Sequence, residues 1–169
     1  MADLQTALHS HRQAVDAFLA AARVMPSAQW KQPRKPGKWS PAQIAEHLAL
    51  AYEVNRGILH GAAPGKALPT LLRPLLRTYV LQPVLWTGRF FPGSKAPQIF
   101  QPTGTPVTQD VMIARLQAAT QAFEKYVSGA QGTHIEHPFF GRLSLVDFVR
   151  LQEIHMKHHY RQLPSVKKT

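Results

Sequence analysis

From Leu4 to Met25 apolar residues recur at alternating spacings of three and four: Leu4, Leu8, His11, Val15, Phe18, Ala22 and Met25. That is the stripe of a helix with one face on a core, and it predicts a first helix over about residues 3–25, stopped by Pro26. The next stretch, to Lys38, holds Pro33, Pro36 and Gly37 and reads as a loop. A second helix over about 40–61 has a strong start signal: Ser40 as N-cap, Pro41 in the first helical position and Gln43 completing a capping box. Ile44, His47, Leu48, Ala51, Val54 and Ile58 share one of its faces, and Gly61 and Pro64 follow its end. A third helix over about 108–128 carries Met112, Leu116, Ala119, Phe123 and Tyr126 as its stripe. A fourth over about 144–162 starts at Ser144.

The inward face of that last helix begins apolar and turns polar: Leu145, Phe148, Gln152, His155, His159, Gln162. Polar groups on the inner face of a bundle cost stability unless each is paired or bound to something. His155 and His159 are one turn apart and can hold one transition metal. The best third ligand is His47, which interrupts the apolar face of the second helix. His158 lies off the shared face and belongs at a helix interface or the surface. His11 sits in the first core stripe, where it is a core histidine or a group facing the pocket. His9, His60 and His134 read as surface or loop residues, and His137 as a residue fixing the turn before the last helix.

Topology follows from the three ligand positions. His47 is near the start of the second helix, while His155 and His159 are near the end of the fourth. One shared metal makes those two helices antiparallel. A plain up-down-up-down bundle would make them parallel. The connection between the second and third helices, residues 62–106, is long enough to cross over, which gives the order up, down, down, up. The expected fold is therefore an all-α four-helix bundle, a single domain over residues 1–169, with a long crossover insertion. Within the insertion, Leu68 to Phe91 predicts one or two short amphipathic helices, broken at Pro74 and Pro83. Pro69 to Phe91 is expected to border the metal pocket, with packing on the outside of the bundle or at a homodimer interface as the alternative.

Two stretches carry a resemblance. The Trp39-Ser40-Pro41 helix start leading to His47-Leu48, and the closing His155-x-x-His158-His159-x-x-Gln162, resemble the DinB/YfiT superfamily of metalloenzymes. His137-Pro138-Phe139-Phe140-Gly141-Arg142-Leu143-Ser144 is similar to its DUF1569-type branch. The resemblance implies a four-helix bundle in the order just derived, and His47, His155 and His159 as ligands of a divalent metal. It also implies a thiol-dependent transferase using glutathione, mycothiol or bacillithiol, the activity of those relatives whose activity is known.

The chemistry of the residues narrows this. Three imidazoles suit a transition metal, Zn or Ni first, and leave a position open for water, thiolate or substrate. A zincin-type protease is disfavoured, because Met156 follows His155 and no Glu stands between the two ligands. The chain has no G-x-S-x-G. It has no cysteine either, which excludes thiolate ligands and a disulfide scaffold and fits a cytoplasmic location. Neither a signal peptide nor a transmembrane segment is expected.

Charge changes the picture last. The chain carries 20 Lys and Arg against 9 Asp and Glu, net +11. Between Glu53 and Asp110 there is no acid, but there are Arg56, Lys66, Arg73, Arg77, Arg89 and Lys95. Lys31, Arg34, Lys35 and Lys38 form a second cluster. Such a field attracts anions, and an anionic small-molecule substrate is the expected partner. No nucleic-acid motif accompanies the charge. Three functions stay open: a metal-dependent transferase with a thiol or other anionic co-substrate, a metal-binding stress-related protein without turnover, and a basic binder of nucleic acid or a membrane surface.

Overall fold

The first helix, α1 (Leu4–Arg23), is capped by Asp3, whose carboxylate accepts from the Thr6 N–H at 2.7 Å. Its stripe is buried from Leu8 through His11, Val15, Phe18 and Ala22. The computed structural model describes residues 3–59, 69–91, 93, 95–104 and 107–164. The stretch expected as loop after Pro26 forms one helical turn, α2 (Ser27–Trp30). The Trp30 ring is buried there, and burying so large an apolar ring outweighs the weak propensity of four residues to coil into a helix.

α3 (Pro41–Leu59) begins on the expected capping box. The Gln43 N–H donates to Ser40 Oγ at 3.3 Å, and the Ser40 N–H donates to Gln43 Oε1 at 2.9 Å. Residues 60 and 61, placed at the end of this helix by the sequence, lie outside the described residues, as do residues 62–68 of the insertion.

The insertion is not broken at its prolines. A 3-10 turn (Thr70–Leu72), α4 (Arg73–Leu76), a π turn (Arg77–Leu81) and α5 (Gln82–Thr87) follow one another directly. Pro83 has no N–H to give and crowds the carbonyl four residues back, that of Tyr79. Tyr79 lies within the wide turn, so the backbone absorbs the proline by loosening rather than by ending the helix. Gly88, at φ +65°, closes the segment in the left-handed region. Leu81, Val84 and Leu85 turn inward, and Arg150 Nη2 donates to the Leu85 carbonyl at 3.1 Å, tying α5 to the last helix.

α6 (Gln109–Ser128) is capped by Thr108. Before the last helix the chain departs from an all-α fold. β1 (His134–His137) and β2 (Gly141–Ser144) form a two-stranded antiparallel hairpin, with His134 opposite Ser144 and His137 opposite Gly141. Gly141, at φ +68°, lies in the left-handed region where the chain leaves the loop and enters β2, a conformation that glycine adopts without strain. His137 fixes this turn, as expected: its Nδ1 accepts from the Phe139 N–H at 3.2 Å and its ring stacks on Phe140. α7 (Leu145–Tyr160) then starts on Ser144, whose Oγ accepts from the Asp147 N–H at 3.0 Å.

The described chain is mostly helical, with this one small sheet. α1 packs on α7 and α3 on α6 around Phe18, Tyr52, Phe123 and Phe148. Among the described residues no helix is long and apolar enough to cross a membrane.

Candidate metal centre

His47 comes from the second turn of α3, and His155 and His159 from the last two turns of α7. The expected convergence is present. His155 Nε2 lies 2.9 Å from His47 Nε2 and 3.1 Å from His159 Nε2, and the three ligand atoms all lie within 4.8 Å of one another. His47 and His159 are buried, and His155 is half-buried.

What surrounds the rings fixes how they face. His47 Nδ1–H donates to the Phe100 carbonyl at 2.7 Å, and His159 Nδ1–H donates to Gln162 Oε1 at 2.9 Å. With the proton held at Nδ1 on both rings, both Nε2 atoms present lone pairs to the centre. Metal-ligating histidines are oriented in this way, by a carbonyl or similar acceptor on the far nitrogen. Trp39 walls the site, its ring 4.8 Å from His47 and stacked 6.3 Å from His159. Phe90 meets His155 edge-on at 5.6 Å, so the end of the Pro69–Phe91 segment borders the histidines.

Burial is the main influence on the protons of this site. It pushes all three imidazoles below the usual histidine value. For His47 the hydrogen bond to Phe100 opposes the effect in part. His155 lies well below the ordinary value, through burial and then through His159, His47 and His158. His159 is pushed down to about 3, by burial first and then by His47 and His158. The rings are thus held neutral, the form that coordinates a metal.

The residues present fit such an ion. Three neutral nitrogen donors converge, two with their lone pairs aimed inward. About one turn before His155, Gln152 Oε1 is buried without a hydrogen-bond partner among the described residues.

Glu46 and Phe100 were not foreseen from the sequence. Glu46 is buried and accepts from the Thr103 N–H at 3.0 Å, the Thr103 hydroxyl at 2.6 Å and the Gly104 N–H at 3.3 Å. It thereby anchors the loop whose Phe100 carbonyl orients His47. The only local signal is an acid beside a histidine on an otherwise apolar helix. Replacing Glu46 with Ala frees this loop from beside His47. We expect metal affinity to fall about 10–100-fold, the usual effect of losing an outer partner, with helix content retained. Titration with Zn against a competing chelator measures this, and unchanged affinity would remove Glu46 from the site.

The other histidines sort as follows. His158 stays off the centre, bonded to Gln162 Nε2 at 2.8 Å and edged by Phe90. His11 is buried between Glu124, 3.0 Å from Nδ1, and the Tyr52 hydroxyl, which donates to Nε2 at 2.7 Å. It is a core histidine in a network of its own. His9 and His134 are exposed, and His60 lies outside the described residues.

Arg73 and Arg77, expected to draw anions to the pocket, are placed against the hairpin. They line a cavity of about 240 Å³ with Glu136 and Arg142, and Arg77 Nη1 donates to the Arg142 carbonyl at 2.8 Å. That end precedes α7, whereas His155 lies ten residues along it, about 15 Å away at helical rise. Helical phase explains the difference: the two arginines face the protein on the side opposite Leu71 and Leu75.

No curated protein and no solved structure matches this chain. A family model does, over residues 6–166. The chain belongs to the family described as protein of unknown function (DUF1569).

Proposed function

We propose that His47, His155 and His159 hold one divalent transition metal, and that the protein is a DinB-like metalloenzyme acting in thiol-dependent transfer. The observation that carries the first part is the convergence of three imidazole Nε2 atoms, two of them with the opposite nitrogen committed to an acceptor. When bound, a divalent metal with an open position lowers the pKa of a thiol or water there and supplies a nucleophile at neutral pH. The chain's own residues favour the thiol. Among the described residues no acid near the centre is free to serve as a general base for water. Glu46 is committed to Thr103 and Gly104, and Glu153 to Lys157. A thiol arrives acidic enough to lose its proton without such a base. Gln152 would orient what enters the pocket, and Trp39 and Phe90 would keep bulk water from it.

The same absence of a base supports a second reading, a metal-binding protein without turnover. Elemental analysis of protein purified without added metal or affinity tag is expected to give about one metal per chain, Zn or Ni. Assay of the loaded protein with glutathione, mycothiol or bacillithiol and an electrophilic acceptor separates the readings. Metal without transfer to any acceptor leaves the binder, and absence of any metal defeats both.

The DinB-like assignment includes a bundle order of up, down, down, up within one domain over residues 1–169. Contacts along the helices support it. His11 pairs with Glu124, while Gln109 Nε2 donates to the Ala22 and Met25 carbonyls at 2.6 and 3.0 Å, so α1 and α6 run oppositely. Phe123 packs on both Tyr52 and Phe148, and His47 meets His155 and His159, so α7 opposes α3. Glu46 holds Gly104, five residues before Gln109, a span of at most about 18 Å. With Phe123 level with Tyr52, α6 running parallel to α3 starts about 12 Å from Glu46 along the axis. An antiparallel α6 would start about 30 Å away, beyond reach.

A further inference from the structure

The helical segment from Thr70 to Thr87 is apolar on two sides. Leu81, Val84 and Leu85 face the protein and are buried. Leu71, Leu75, Tyr79 and Trp86 face away from it, exposed by 88%, 53%, 71% and 89%. Their spacings of four, four and seven residues are near-whole helical turns, so they form one stripe. Its outward side thus presents large apolar side chains in a row, although its second half already buries Leu81, Val84 and Leu85 against the protein. Leu72, next to Leu71 in the chain, is also exposed.

The surroundings of the stripe say what covers it. Arg89 is exposed just beyond Trp86. No acid occurs from residue 54 to residue 109. We propose that this stripe, with Arg89 at its Trp86 end and no acid in its segment, seats the protein in the plane of an anionic lipid bilayer surface. The chemistry matches an interfacial helix: leucines to enter the acyl boundary, Tyr and Trp for the headgroup level, cations for lipid phosphates. A second copy of the chain fits less well. Stacking two such segments would bring their cations together with no acid within either segment to offset them. A nucleic acid would leave the leucines uncovered.

Cosedimentation of the full chain with vesicles tests this. With vesicles of equal phosphatidylglycerol and phosphatidylcholine at low salt, binding is expected to be at least tenfold tighter than with phosphatidylcholine alone. It should weaken severalfold in 0.5 M salt as the charges are screened. Of the three tryptophans Trp86 is the most exposed, so the emission should shift to the blue on binding. The variant Leu71→Ser/Leu75→Ser keeps Trp86 and should lose binding at least tenfold, with far-UV circular dichroism and Tm unchanged. Equal binding to both vesicle types overturns the proposal, as does undiminished binding by the variant. So does self-association that the variant abolishes in a chain that ignores anionic vesicles, since a second copy is then the occupant.

Discussion

Replacing His155 with Ala is expected to abolish metal binding. His155 Nε2 is the atom nearest both other donors, at 2.9 Å from one and 3.1 Å from the other. Without it two imidazoles remain, one on each helix, and the loss should exceed the 10–100-fold typical of an outer partner. Stability reports the same event. A ligand present at a thousand times its Kd stabilises a protein by about 4 kcal/mol. For a chain of 169 residues that corresponds to about 8–16 °C in Tm. Added Zn or Ni should raise the Tm of the parent protein by that order and leave His155→Ala unmoved. His158→Ala is the control: its ring bonds to Gln162 rather than facing the centre, so it should keep about one metal per chain. A metal-induced rise in Tm that survives His155→Ala would defeat the three-histidine site.

Much of this site was legible because its signals are local. Ser40, Pro41 and Gln43 announce a helix start by spacing alone, and the box forms as written. His155 and His159 are four apart on a face that begins with Leu145 and Phe148, so their direction follows from helical geometry. The remainder depends on contacts between distant residues. Phe100 reaches His47 across 53 positions, through a loop with no periodic pattern. Trp30 is buried because the fold brings a core to it, although Pro33, Pro36 and Gly37 mark its surroundings as loop. The strands of the hairpin are four residues each, too short for alternation to distinguish them from a turn. Pro83 reads as a helix breaker, and only the backbone around it shows that a π turn can take it up. Arg73 and Arg77 illustrate a further limit. Their charge was evident, but which way they face depends on which side of α4 meets the hairpin.

The second large effect is on acid stability. In the metal-free protein His47, His155 and His159 are held neutral chiefly by burial, and His137 is pushed down to about 4 by the same cause. An unfolded chain protonates each near pH 6.5. Below that pH the unfolded state binds more protons than the folded one, so stability falls as pH falls. The contribution is fully present above about pH 6.5 and is lost progressively toward the depressed folded values, about 4 for His137 and about 3 for His159. Each imidazole adds a slope of at most about 1.4 kcal/mol per pH unit. Against the roughly 5–15 kcal/mol that stabilises a typical domain, losses from several such groups are large. Glu124 acts in the same direction at lower pH: burial raises its carboxyl, but hydrogen bonds from His11 and Arg12 outweigh this and hold it below the usual value. Thermal unfolding of the apo-protein should therefore show Tm falling steeply between pH 6.5 and 4.5. Metal delays the fall, because protons must displace it. From the sequence alone, metal affinity is expected to fall as the pH drops through roughly 6 to 5, because an imidazole must be neutral to coordinate, and burial of the three rings shifts that fall lower. His137→Asn isolates one contribution away from the centre, since Asn Oδ1 can still accept the Phe139 N–H but does not titrate. That variant should lose less Tm between pH 6.5 and 4.5 than the parent. A Tm that stays level from pH 7.5 to 5 in the metal-free protein would mean that these histidines are not held neutral in the fold.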